Sequence, residues 1–177
     1  MELYLIRHTA PAEMAGICYG RSDVPLAATA EQDIERTIAP LPTFDRVYCS
    51  PAQRCMRLAK ALAERDAINP IVDAALSELD FGEWERLPWS AIPREHSDPW
   101  AADTWHRAPP GGETEQALWS RVSTWYATAI PQPVSRCAVV AHGGSLRVLR
   151  CLILGLPLEQ RWDWSLGWGE HARFDVT

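Results

Sequence analysis

The chain has 177 residues, 47% of them hydrophobic, and a formal net charge of −6. That length and apolar content predict a single domain, residues 1–177, with enough buried material for a full core. The negative balance argues against broad binding to nucleic acid or an anionic membrane, because no surplus positive field drives either; a local phosphate pocket stays open.

Glu2-Leu3-Tyr4-Leu5-Ile6 reads as an opening strand that runs out into Arg7-His8-Thr9. The stretch from Thr9 to about Thr29 is too long for a mere connection and is a candidate functional loop. A helix is expected through Glu31–Ile38, then a strand over Arg46-Val47-Tyr48-Cys49. Ser50-Pro51 reads as a helix start, serine as cap and proline in the first turn, before a helix over Ala52–Arg65. In it Cys55, Leu58, Ala59 and Leu62 recur at helical spacing and form a face to bury on a sheet. A short strand near Pro70-Ile71-Val72 precedes a segment rich in tryptophan and proline, Glu78 to Pro110. A long helix from Glu113 to about Ala129 leads to a second buried strand, Arg136–Ala141, which delivers His142 into Gly143-Gly144-Ser145 and a new helix. The closing residues His171–Val176 alternate like an edge strand. Alternating strand and helix predict an α/β fold with a mostly parallel sheet.

No positively charged leader with a long apolar region is seen, and the apolar stretch Cys151–Leu158 is broken by Gly155 and Pro157, so a cytoplasmic protein outside the membrane is expected. The five cysteines, Cys18, Cys49, Cys55, Cys137 and Cys151, include no C-x-x-C pair and read as reduced, buried small hydrophobes rather than disulfides or zinc ligands.

A histidine beside an apolar strand is ordinarily a hydrogen-bonded structural residue. Two of them at the carboxyl ends of two strands, where open α/β sheets build their ligand sites, point instead to one site. Arg7 and Arg54 suit phosphate, since guanidinium forks grip oxygens in fixed geometry and keep their charge. Arg54 also falls in the first turn of its helix, where anions are attracted. Otherwise it is a solvated helix residue.

In order, Leu5-Ile6-Arg7-His8-Thr9, Ser50-Pro51-Ala52-Gln53-Arg54, Glu78-Leu79-Asp80-Phe81-Gly82-Glu83-Trp84-Glu85, Pro110-Gly111-Gly112-Glu113-Thr114 and Val140-Ala141-His142-Gly143-Gly144 resemble the histidine phosphatase superfamily, with the phosphoglycerate-mutase-like fold. The resemblance implies a three-layer αβα sandwich with helices on both faces of the sheet. It also implies that His8 is a covalent nucleophile, consistent with arginines that disfavour its imidazolium and keep it able to attack phosphorus. His142, beside a bound dianion, is assigned as a protonated donor to the transferring oxygens, and Gly143 lets backbone approach closely there. The leaving alkoxide needs a proton from Glu78, Asp80, Glu83 or Glu85; in the family's phosphatase branch the matching position is Glu78. After Trp84-Glu85 this chain has Arg86-Leu87-Pro88 where family members often have glycine, so its path beyond the motif is expected to differ.

Cys18-Tyr19-Gly20-Arg21-Ser22-Asp23-Val24-Pro25-Leu26, with threonine rather than glycine after Arg-His, resembles the α-ribazole phosphatase branch, which implies a small phosphorylated substrate, a nucleotide-like cobalamin precursor. Thr9, Tyr19, Gly20 and Arg21 thereby join Arg7, Arg54, His142 and Gly143 as candidate phosphate-binding residues, Arg21 being otherwise a loop charge. Trp84, Trp89, Trp100 and Trp105 offer faces to stack on a base, although core packing is the commoner use. His96, His106 and His171 read as surface residues. No cofactor and no metal is expected, because arginines repel a cation. A phosphoglycerate mutase, a metal-dependent hydrolase and a non-catalytic phosphate-binding module remain the alternatives; the short chain leans toward phosphatase.

Overall fold

The computed structural model describes residues 1–130 and 134–176. Strands β1 (Glu2–Arg7), β2 (Arg46–Cys49), β3 (Ile71–Val72), β4 (Arg136–Ala141) and β5 (His171–Asp175) form one sheet in the order β3-β2-β4-β1-β5. All neighbours are parallel except β5, which runs antiparallel to β1 and pairs Ile6 with His171.

The strand period of two sorts side chains onto two faces. Leu3 and Leu5 of β1, Cys137 and Val139 of β4, and Tyr48 of β2 face one cluster; Ile6, Ala138, Val140 and Val47 face another. Helices α4 (Glu115–Ala129) and α5 (Gly143–Leu154) cover the first through Leu118, Val122, Leu146 and Leu149; α1 (Ala30–Ile38) and α2 (Gln53–Arg65) cover the second through Ile34, Leu58 and Leu62. Both leucines of α2 are fully buried, each contributing about 2 kcal/mol of transfer free energy. The result is the αβα sandwich expected. All five cysteines are free and buried. Among the described residues no helix is long and apolar enough to cross a membrane.

Local starts differ from expectation. Helix α2 opens at Gln53, with Ala52 in the cap position and no side-chain cap from its own chain segment. Asp23, reaching in from the long loop, accepts the Gln53 N–H at 2.8 Å instead, while Ser50 Oγ accepts the Ala52 N–H just ahead of the helix at 3.3 Å. Helix α4 begins at Glu115 rather than Glu113, because Thr114 accepts the Ala117 N–H at 3.1 Å. A helix not expected from the sequence, α3 (Arg94–Ala102), lies in the tryptophan-rich segment. It buries no residue fully and carries Pro99 inside, so neither apolar period nor composition marked it.

Candidate active site

The carboxyl ends of β1, β4 and β2 lie side by side, and each ends in a polar group. The His8 N–H donates to the Ala141 carbonyl at 3.1 Å and the Ser50 N–H to the Val140 carbonyl at 3.1 Å. These bonds extend the ladders one residue past the strands and fix His8 and Ser50 on either side of β4. His142 emerges between them, its ring 5.2 Å from that of His8.

His8 is 2% exposed. Its Nδ1 lies 2.8 Å from the Thr9 carbonyl, and because a carbonyl only accepts, Nδ1 carries the proton and Nε2 keeps its lone pair. Burial pushes the imidazole down to about 3, against the bond to Thr9; the Arg54 and Arg7 charges push the same way. His142 is likewise held well below its ordinary value, by burial first, then by His8, Arg54 and Arg7. With no dianion bound it is neutral. Its Nε2 lies 2.7 Å from Ser50 Oγ.

Arg54 is fully buried. Its two Nη groups donate to the carbonyls of Ser22 at 2.8 Å and Gly20 at 2.5 Å, and Tyr19 lies 5.4 Å from its guanidinium carbon. Arg7 donates to the Leu166 carbonyl at 2.7 Å and lies 5.7 Å from the Trp168 ring. Each arginine keeps a buried Nε without a partner among the described residues. Buried donors are rarely left so, and two beside one pocket mark a place for anionic oxygens.

Glu78 accepts the Gly144 N–H at 2.9 Å and the Leu79 N–H at 2.9 Å. Gly144 stands in the first turn of α5, and a Cβ there would meet Glu78 Oε1 at 2.2 Å; only glycine lets the helix end hold this carboxylate. At Gly143 a Cβ would lie 3.7 Å from the Arg7 guanidinium carbon and 3.9 Å from Glu78 Oε2, so this backbone runs between the two side chains. The other carboxylates of the motif serve elsewhere. Asp80 accepts the Gly82 N–H at 2.8 Å, Glu83 is exposed, and Glu85 accepts the N–H groups of Gly20, Arg21, Ser22 and Phe81. Burial alone would raise the Glu85 carboxyl, but the bonds from Gly20, Ser22, Phe81 and Arg21 outweigh it and hold it below its ordinary value.

Arg7, His8, Tyr19, Arg54, Glu78 and His142 line one pocket of about 300 Å³. Thr9, Gly20, Arg21 and Gly143 do not line it. Thr9 is buried and contributes its carbonyl to His8. Gly20 holds Arg54, and a Cβ on it would strike the Leu79 carbonyl at 1.8 Å. Arg21 is half-exposed and pairs at 3.4 Å with Asp80 and with Glu113. Phe81, Trp89 and Trp100 form one wall of the pocket, the two indoles stacked with centroids 6.0 Å apart. Trp84 packs beneath, edge-on to Trp100, and Trp105 packs against Trp119. Thr104, Glu115, Arg147 and Trp162 also line the pocket, and the sequence singled out none of them. Arg147 alone carried a hint, one helical turn beyond Gly143 on α5. Among the described residues no group of three or more His, Cys, Asp or Glu is placed to hold a metal ion.

The family model of the histidine phosphatase superfamily (branch 1) matches residues 3–176. The chain is 28% identical over 184 residues to an adenosylcobalamin/alpha-ribazole phosphatase of Escherichia coli, covering 100% of this chain and 91% of that protein. It is 31% identical over 169 residues to a Klebsiella pneumoniae protein named a probable phosphoglycerate mutase, covering 89% and 76% of the two chains. Among solved structures, the alpha-ribazole phosphatase of Shigella flexneri superposes with a TM-score of 0.91 at 27% identity, covering 100% of this chain and 91% of that one.

Proposed function

Because the chain belongs to the histidine phosphatase superfamily and is a phosphatase that works through a phosphohistidine, we propose that His8 is the residue phosphorylated and Glu78 the acid and base that serves it. One observation carries the assignment: a single pocket holds the unprotonated Nε2 of His8, two arginines with unpaired Nε groups, and, alone among the four candidate acids of the motif, the Glu78 carboxylate.

A phosphomonoester repels nucleophiles through its own charge, so the pocket must first neutralise the equatorial oxygens, the task of Arg7, Arg54 and His142. The Nε2 lone pair of His8 then forms the N–P bond while the P–O bond to the alcohol breaks. Glu78 gives its proton to the departing oxygen. In the second half the Glu78 carboxylate takes a proton from water, the water oxygen bonds to phosphorus, and the N–P bond breaks to release phosphate and the neutral imidazole. His142 donates from its charged form only once the dianion is in place, since the pocket without one holds it neutral.

The substrate is a small phosphorylated metabolite, and α-ribazole 5′-phosphate is the one we propose. The wall of Phe81, Trp89 and Trp100 supports a flat leaving group, for which aromatic faces are matched surfaces, and the names of the Escherichia coli and Shigella relatives support the same choice. We further propose that the enzyme acts in the cytoplasm, where its five free thiols stay reduced. The test is kcat/KM for α-ribazole 5′-phosphate, phosphoserine, 3-phosphoglycerate and glucose 6-phosphate, all measured with a chelator present. α-Ribazole 5′-phosphate should lead by about tenfold or more. A lead for 3-phosphoglycerate, with isomerised product instead of free phosphate, would overturn the assignment in favour of a mutase.

A further inference from the structure

Thr104, Glu115 and Arg147 line the same pocket but have no part in the chemistry above. Glu115 opens α4, and its side chain is 12% exposed. Three donors converge on one of its oxygens: Thr104 Oγ1 at 2.6 Å, Arg161 Nη2 at 2.9 Å and Arg161 Nε at 3.1 Å all reach Oε2. Oε1 takes no partner among the described residues. A carboxylate that is nearly buried, clamped through one oxygen and open at the other presents a fixed acceptor to the pocket it lines.

Arg147 lines the same pocket. Its guanidinium lies 4.6 Å from the centre of the Trp162 ring, and its Nε donates to the Trp164 carbonyl at 3.3 Å. Its Nη groups take no partner among the described residues. Arg147 and Glu115 form no ion pair with each other, because Glu115 is paired with Arg161. Donors and a fixed acceptor thus line one pocket without satisfying one another. A second anion would be repelled there by Glu115 and a cation by Arg147. The group that suits both is neutral and both gives and accepts hydrogen bonds, and two adjacent hydroxyls suit them best, one donating to Oε1 while the other accepts from Nη.

Building on the phosphatase reading above, we infer that Glu115 and Arg147 bind the 2′,3′-diol of a ribose in the leaving alcohol, making the enzyme selective for ribosides over deoxyribosides. The indole wall then faces the base, and the reacting phosphate lies at the histidine end.

The test compares kcat/KM for adenosine 5′-monophosphate with that for 2′-deoxyadenosine 5′-monophosphate, and glucose 6-phosphate with its 2-deoxy form. A site that hydrogen-bonds a hydroxyl rejects the analogue lacking it, so the wild-type enzyme should favour the ribonucleotide by about tenfold or more. In Glu115→Gln, which turns the open acceptor into a donor, and in Arg147→Met, which keeps the stem over Trp162 but removes the donors, that ratio should fall below about threefold. A wild-type ratio near one, or a ratio kept in both variants, overturns the inference without need of any other variant. So does turnover of neither nucleotide by enzyme that still hydrolyses p-nitrophenyl phosphate. Sensitivity to the hydroxyl in the glucose pair alone overturns the ribose in favour of a hexose. Failure to hydrolyse p-nitrophenyl phosphate at all is a different result, and it strikes the phosphatase reading itself.

Discussion

His8 Nδ1 sits 2.8 Å from the carbonyl oxygen of Thr9, and this contact decides which nitrogen of the ring can attack. With the proton fixed on Nδ1 by an oxygen that only accepts, Nε2 is nucleophilic without a general base to deprotonate it. Retaining the neutral form is the work of burial, which also makes the fold sensitive to acid.

His8 titrates at about 3 in the folded protein, His142 well below 6.5, and both near 6.5 once unfolded. Between these values the unfolded chain binds more protons, so stability is complete above pH 6.5 and declines as pH falls from 6.5 toward 3, by up to about 1.4 kcal/mol per pH unit for each ring. Thermal melts at pH 7, 6 and 5 should show that decline, and His8→Gln should show a shallower one. Parallel curves for the two proteins would mean that His8 is not held neutral by the fold.

Gly144→Ala should separate activity from stability. Alanine favours a helix over glycine, but its Cβ would meet Glu78 Oε1 at 2.2 Å, so the carboxylate must leave its place. We expect turnover of an alkyl phosphate to drop by about 100-fold while the melting temperature stays within a few degrees of wild type. Equal losses in both would show that the glycine serves the fold alone.

Glu78→Gln removes the proton while keeping the side chain's size and one of its two backbone hydrogen bonds, since Gly144 and Leu79 donate to different oxygens. In single turnover it should slow an alkyl phosphate by about 100-fold or more and p-nitrophenyl phosphate much less, since nitrophenolate leaves without protonation. Asp80→Asn and Glu83→Gln should show no dependence on leaving group. If either of them does and Glu78→Gln does not, the acid has been misassigned.

Glu85→Gln tests how Arg54 is held. The Glu85 carboxylate gathers the N–H groups of Gly20, Arg21 and Ser22, while the carbonyls of Gly20 and Ser22 anchor Arg54. Losing the charge should cost about 2 kcal/mol of stability in urea unfolding and raise KM through a displaced arginine. An unaltered KM would show that Arg54 keeps its place without this loop.

What could be read from the sequence divides along physical lines. The strands β1 and β4 were legible because their residues are buried on both faces and their histidines stand at the ends of apolar runs. Glu78 was legible only through the family motif, since nothing in its residue type separates it from Asp80, Glu83 or Glu85; the geometry separates them because Glu78 alone of the four lines the pocket that holds His8 and His142. Ser50 looked like a helix cap because local patterning carries no sign of Asp23 arriving from another loop. Arg21 read as either a phosphate ligand or a loop charge, and its carboxylate partners, Asp80 and Glu113, come together only in the fold. The polar cluster went unread for the same reason: Thr104, Glu115, Arg147 and Arg161 are far apart in the chain and meet only across α4 and α5.

The central claim is the covalent step on His8, and trapping it is the most direct measurement. Enzyme mixed with a ³²P-labelled phosphomonoester and quenched in alkali, which preserves an N–P bond, should yield one labelled peptide containing His8. His8→Ala should lose both the label and the turnover. Label on the peptide containing His142, or full turnover in His8→Ala, would contradict the account.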